Sequence, residues 1–225
     1  MGSSFAPLQL VLALDHAVSL AREDFLPGPS NAAALVLIER WPDWPAKAMA
    51  LVGPQGSGKS HLAAIWAKAA GARVLAAKFL SEADLPAAFA TGALVVEDLE
   101  PTGLDERALF HLLNLAREQD AYLLLTARSA PSRFAVSIRD LASRLRAVPA
   151  VVLTPPDDVL LRSLIVKLAA DRQLPIDEAL VNYLANRIER SFEAAYAAVA
   201  RLDEEAMRQH RPVTRALAAE LLRKP

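Results

Sequence analysis

The chain has 225 residues, and at ~150 residues per domain that leaves room for one domain with an appendage or two small ones, not a long multidomain enzyme. Lys and Arg number 25 against 26 Asp and Glu, a net charge of −1, so any attraction to nucleic acid or anionic lipid has to be local. Zero cysteines exclude disulfide frameworks, thiolate zinc sites and cysteine nucleophiles, while 53% hydrophobic and 6% aromatic residues predict a compact soluble protein with a core of Ala, Leu and Val.

The first apolar run, Leu8 to Leu14, ends at Asp15 with no Lys or Arg before it, which is not the pattern of a signal peptide. No stretch approaches the ~20 apolar residues of a membrane span, and Ala6 stands where a myristoylation signal needs Ser or Thr. A cytoplasmic location fits these readings. From about residue 30 to 154 short apolar runs alternate with helical patterns, which predicts a parallel sheet wrapped by helices. Strands are expected at 48–52, 73–77, 93–97, 122–126 and 150–153, and helices at 31–40, 59–70, 82–90, 104–119 and 138–145, with Ser30, Ser81 and Ser137 as N-caps. Leu109, Leu112, Leu113 and Ala116 share one helical face.

After Pro155 and Pro156 the strand signals stop. Stripes at Leu161, Leu164, Ile165 and Leu168, at Val181, Leu184, Ala185 and Ile188, and at Phe192, Ala195, Tyr196 and Val199, with a last helix from Thr214, predict a helical lid. The expected organisation is a tail over 1–22, an α/β nucleotide-binding unit over 23–154 and the lid over 155–225.

The segment Gly53-Pro54-Gln55-Gly56-Ser57-Gly58-Lys59-Ser60 matches the GxxxxGK[ST] phosphate loop between an expected strand and an expected helix, the context that gives the motif meaning. Its glycines let successive N–H groups curl round a phosphate, and the helix N-terminus adds partial positive charge. Lys59 is expected on the β- and γ-phosphates and the Ser60 hydroxyl on Mg²⁺, with ADP or ATP as the nucleotide. Ala93 to Asp98 is an apolar strand ending in two acids, the form of a Walker B segment. Glu97 falls at the metal position and Asp98 at the position that orients the attacking water; the usual order is Asp then Glu, so slow intrinsic hydrolysis is expected. His16, His61, His111 and His210 lack metal-ligand spacing and read as structural, with His61, directly after the loop, also counted among the nucleotide-binding residues.

A phosphate-loop sheet followed by a helical lid resembles the AAA+ proteins, and four further segments resemble the DnaA branch. Phe25 to Asn31 is similar to the F-x-x-G-x-S-N entry segment, implying that Phe25 and Asn31 lie over the adenine. Tyr122 to Arg128 with Pro131 resembles the sensor 1 strand, which gives Thr126 a catalytic role. Leu141 to Leu145 resembles box VII, making Arg144 an arginine finger acting in trans. Leu153 to Asp157 resembles the crossing into the lid. The resemblance spans residues 23 to 223, and the chain ends where DnaA continues into its DNA-binding domain. What remains is similar to the Hda group of DnaA-related regulators. Within it, Gln9-Leu10-Val11-Leu12-Ala13-Leu14 resembles the clamp-binding peptide, with Gln9, Leu10, Leu12 and Leu14 as contacts.

The resemblance implies DnaA and the DNA polymerase III sliding clamp as partners, DNA reached mainly through the clamp, no membrane, and a homodimer or higher oligomer. It implies a negative regulator of replication initiation that stimulates hydrolysis of DnaA-bound ATP. Two positions depart from the DnaA pattern: Arg128 stands where sensor 1 carries Asp, and Glu193 where sensor 2 carries Arg, with Arg190 and Arg187 about a turn earlier. Of the nearby arginines, Arg190 is counted as nucleotide-binding. A P-loop small-molecule kinase, a clamp-loader subunit, and a helicase loader or DnaA-like anchoring protein without DnaA-inactivating activity are the alternatives.

Overall fold

A computed structural model describes residues 19–223 of the chain; the expected clamp peptide at Gln9, Leu10, Leu12 and Leu14 lies outside them. In chain order the elements are α1 (Ala32–Glu39), β1 (Ala48–Val52), α2 (Lys59–Ala70), β2 (Arg73–Ala76), α3 (Leu85–Ala88), β3 (Ala93–Leu99), α4 (Glu106–Glu118), β4 (Tyr122–Ala127), α5 (Arg139–Ala147), β5 (Ala150–Val152), α6 (Asp158–Asp171), α7 (Glu178–Ala185), α8 (Phe192–Gln209) and α9 (Arg215–Arg223). The sheet has five strands in the order β2-β3-β4-β1-β5, all paired in parallel.

Strand side chains alternate between faces, and the core divides accordingly. Ala50, Val52, Leu94, Val96, Leu123 and Leu125 pack with Leu109, Leu112 and Leu113 of α4 and with Leu141 and Leu145 of α5. Met49, Leu51, Val95 and Leu124 face the other way, against α1 and against Leu62, Ala63 and Trp66 of α2. Helices on both faces explain why the strands read as continuous apolar runs. The chain leaves the C-terminal end of β1, between β4 and β5, directly into the glycine-rich segment; such sheet ends are where ligands bind in open α/β folds.

The lid has its own core, in which Leu161, Leu164, Ile165, Val181, Leu184, Ala195, Val199 and Leu217 are buried together. Its helices start on side-chain caps: Asp157 accepts from the Leu160 N–H at 2.8 Å, Asp177 from Leu180 at 2.7 Å and Ser191 from Ala194 at 3.0 Å. No helix among the described residues is long and apolar enough to cross a membrane.

Three local expectations are corrected. The helix expected over 82–90 is one 3₁₀ turn, Glu82–Asp84, followed by the short α3. Pro86, having no N–H, can only open a helix there. Ser30 does not cap α1; the N-cap is Asn31, whose amide instead ties the preceding turn, its Oδ1 accepting from the Gly28 N–H at 2.9 Å and its Nδ2 donating to the Leu26 carbonyl at 3.0 Å. Ser137 does not cap α5 either. The Glu106 carboxylate of α4 accepts from the Ser137 and Ile138 N–H groups and from the Ser137 hydroxyl, at 2.7–3.0 Å. The segment leading into α5 is therefore anchored from 31 residues away in sequence, beyond the reach of a local pattern.

Candidate nucleotide site

The turn after β1 needs glycine at two positions with positive φ, Gly56 at 68° and Gly58 at 93°, a region that L side chains rarely adopt. This backbone bends the 53–58 segment round the N-terminus of α2, where Lys59 is the first helical residue. The Lys59 ammonium is buried and donates to the carbonyls of Gly53 at 2.9 Å and Pro54 at 2.8 Å. Burial pushes its pKa down, opposed by the nearby Asp98 carboxylate and reinforced by the Arg128 charge. The Ser57 hydroxyl is buried with no hydrogen-bond partner among the described residues. A buried cation and an unpaired buried donor at a helix N-terminus together suit an anion.

A cavity of about 450 Å³ opens onto this loop, with Lys59, Ser60, Asp98 and Arg128 on the sheet side and Phe192, Glu193 and Tyr196 on the lid side. Asp98 reaches it through a local irregularity. The pairing of β3 with β4 shifts between Val96 and Leu99, and Asp98 adopts a φ of 55°, its N–H donating to the buried Thr126 hydroxyl at 3.0 Å. Such bulges re-aim side chains beside sites. Thr126 thus supports the Asp98 backbone, a role that an alternating strand pattern does not disclose. Glu97 is not among the cavity-lining residues, but its Oε1 is buried with no hydrogen-bond partner. This orphaned carboxylate oxygen, with the Ser60 hydroxyl and Asp98, is the hard oxygen set that suits Mg²⁺, which is bound by one or two side chains plus phosphate oxygens.

Phe25 is buried, lines the cavity, and meets the His61 ring edge-on at 5.2 Å. His61 hydrogen-bonds the Ala21 carbonyl at 2.9 Å, and burial holds its imidazole below the ordinary range. Asn31 is buried under the entry turn rather than on the cavity wall. Arg190 pairs with Asp158 of α6 at 2.8 Å and is not brought to the cavity. Gln55 stands between the two sides, accepting from Arg128 at 3.3 Å and donating to Glu193 of the lid at 3.5 Å. The lid meets the loop through its backbone as well, the Phe192 N–H donating to the Gly56 carbonyl at 2.8 Å.

A second cavity of about 390 Å³ shares Phe25, His61, Phe192 and Tyr196 with the first and adds Asp24, Lys167 and Asp171. Lys167 bridges Asp24 at 2.6 Å and Asp171 at 2.7 Å, joining the entry segment to the lid. Sequence reasoning misses this bridge; only the i,i+4 spacing of Lys167 and Asp171 hints at it.

Arg144 lies elsewhere, half-buried on α5, its guanidinium 5.4 Å from the centre of the Phe110 ring of α4. It does not line the chain's own cavity.

No family model matches the sequence. The fold has many solved relatives. Domain III of the replication initiation protein DnaA from Thermotoga maritima superposes with a TM-score of 0.76 at 19% identity, over 93% of this chain and 99% of that one. AMPPCP-bound DnaA from Aquifex aeolicus gives 0.65 at 17%, over 84% and 68%. The RuvB Holliday junction branch migration motor of Thermotoga maritima gives 0.68 at 18%, over 90% and 70%. The fold is therefore the one these DnaA and RuvB structures share, a five-stranded parallel sheet with a helical lid, as expected from the order of strands and helices.

Proposed function

We propose that the chain is a nucleotide-binding AAA+ protein of the DnaA-related, Hda-like kind, which binds ADP or ATP at residues 53–60 and promotes hydrolysis of ATP held by DnaA. The observation that carries the nucleotide reading is the cavity in which Lys59, Ser60 and Asp98 converge on the positive-φ loop. The AMPPCP bound by the Aquifex aeolicus DnaA of the same fold supports it. In this reading the loop N–H groups and Lys59 bind the phosphates, Phe25, Phe192 and Tyr196 exclude water, and Ser60, Glu97 and Asp98 would hold Mg²⁺ and orient a water. Mg²⁺ supplies neutralisation of the β- and γ-oxygens when bound. The Glu-then-Asp order keeps the chain's own turnover slow.

Arg144 then acts on a neighbour. Its half-exposed guanidinium rests on an aromatic face away from the chain's own cavity, where it is free to reach another subunit's γ-phosphate; a finger of this kind contributes ~10³ to 10⁵ in rate. Residues 9–14 attach the protein to the sliding clamp in the cytoplasm. The test measures hydrolysis of DnaA-bound ATP with clamp loaded on DNA. Wild type should stimulate, and Arg144→Ala should bind nucleotide and clamp normally yet stimulate at least about a hundredfold less. Undiminished stimulation by Arg144→Ala, with Arg139→Ala and Arg146→Ala as controls, would falsify the finger. Stimulation that survives a Gln9→Ala/Leu12→Ala change in a clamp-dependent assay would remove the peptide from the mechanism.

A further inference from the structure

Helix α5 carries three arginines, and the fold treats one of them differently. Leu141 and Leu145 are buried against α4, and Arg144, three residues after the first and next to the second, stands at the border of that buried stripe. It is half-buried, with its guanidinium 5.4 Å from the centre of the Phe110 ring, inside the ~6 Å over which a cation is attracted to an aromatic face. Arg139 and Arg146 are exposed and have neither a ring nor an ion-pair partner among the described residues. Phe110 is itself held in place. It packs on the edge of the main core and meets the His111 ring at 5.6 Å. One turn earlier on the same side of α4, Glu106 accepts from the Ser137 and Ile138 N–H groups ahead of α5. Helix α4 thus grips the α5 segment twice, before its first turn and again at Arg144.

We infer that Phe110 is a positioning residue for Arg144, its ring holding the guanidinium at the surface of α5 without neutralising it, ready for a phosphate on a neighbouring subunit. This rests on the reading of Arg144 given above and adds to it which side chain of α4 supports it. The usual support for an arginine at a surface is a carboxylate, and among the described residues none lies within ion-pair distance of Arg144. A carboxylate would orient the guanidinium, but it would also offset the charge and occupy the N–H donors that bind phosphate in bidentate fashion. An aromatic face attracts the cation through its quadrupole and accepts no conventional hydrogen bond from those five donors. The attraction is weak where water has access, so the side chain can leave the ring for a phosphate at small cost. Phe110 therefore narrows the positions open to Arg144 before a partner docks and leaves its charge unspent.

Hydrolysis of DnaA-bound ATP, with clamp loaded on DNA, is measured against increasing amounts of the full chain for wild type, Phe110→Leu, Phe110→Tyr, Arg144→Ala and Phe110→Leu/Arg144→Ala. Phe110→Leu keeps an apolar side chain at the edge of the core and removes the ring. It should lower the rate at saturation about twofold to fivefold with no change in the half-saturating concentration, in nucleotide affinity, or in melting temperature beyond a few degrees. Phe110→Tyr keeps the ring and should recover the rate. In the Arg144→Ala background Phe110→Leu should have no further effect, because no guanidinium remains to be placed. A wild-type rate for Phe110→Leu, an equal loss in Phe110→Tyr, or the same fractional loss with and without Arg144 overturns the inference. The reading of Arg144 survives each of these outcomes, provided Arg144→Ala itself fails to stimulate. A fully active Arg144→Ala overturns that reading and this inference together.

Discussion

The two walls of the nucleotide cavity differ in kind. The sheet wall carries the charge, with Lys59, Ser60, Asp98 and Arg128 projecting from strand ends and one helix start, whereas the lid wall contributes two aromatic rings and a carboxylate. The sheet wall is built from β1, β3 and β4, which are hydrogen-bonded to one another in fixed register, while the lid packs around a separate core. Charge recognition needs positions fixed to within fractions of an ångström; an apolar cover needs only area and the exclusion of water. The division of labour follows the two cores: the charged groups stand on the hydrogen-bonded sheet and the apolar cover on the separately packed lid.

The largest expected break in this asymmetry is Lys59→Ala. Removing the buried ammonium should weaken ATP and ADP binding alike by about 2–5 kcal/mol, read by titration. The free protein should melt close to wild type, because the lost group is a buried cation whose burial disfavours its charge and whose hydrogen bonds among the described residues go to two carbonyls, and the increase in melting temperature on adding nucleotide should vanish. A free protein that melts much lower would mean that Lys59 serves the fold before it serves a ligand.

A smaller effect is expected on the other wall. Phe192→Ala should weaken both nucleotides by the same factor, about threefold to tenfold, since an aromatic cover does not count phosphates. A change in the ATP to ADP ratio in that variant would transfer phosphate discrimination to the lid and erase the distinction between the walls.

The smallest effect concerns the surface that bears Arg144. Backbone hydrogen bonds from Ser137, with its hydroxyl and the Ile138 N–H, hold the Glu106 carboxyl below its usual value of 4.5. A carboxylate with a lowered folded pKa contributes stability that is complete above the unfolded value and disappears as pH falls through the folded one. Glu106→Gln should therefore melt slightly below wild type at neutral pH, and the two melting curves should converge on acidification below that usual value. Parallel curves at all pH values would show that the carboxylate does not hold the start of α5.

How much of this is legible in the sequence depends on how local the cause is. The loop, β1 and α2 follow from contiguous residues, and α2 spans the expected 59–70. The two faces of the sheet follow from side-chain alternation. The bulge at Asp98 does not, because nothing in Val96-Glu97-Asp98-Leu99 signals a φ of 55°; its partner, Thr126, is 28 residues away. The Glu106 anchor of the segment leading into α5 and the Lys167 bridge to Asp24, 143 residues apart, are invisible for the same reason. Arg128 is legible only as a departure from a family pattern, and its direction into the cavity comes from the end of β4.

Gly56 ties the two walls together in a way that bears on how the protein can change. Its φ of 68° is set by the loop, and a Cβ there would lie 2.9 Å from the Ser191 Cβ and 3.1 Å from the Glu193 Cβ of the lid. Any side chain at this position would strain the phosphate grip and push the lid away in the same step. Residue 56 is thus a point where binding and closure cannot be tuned independently, and variation that adjusts one without the other has to occur elsewhere, at the rim positions Gln55, Arg128 and Glu193.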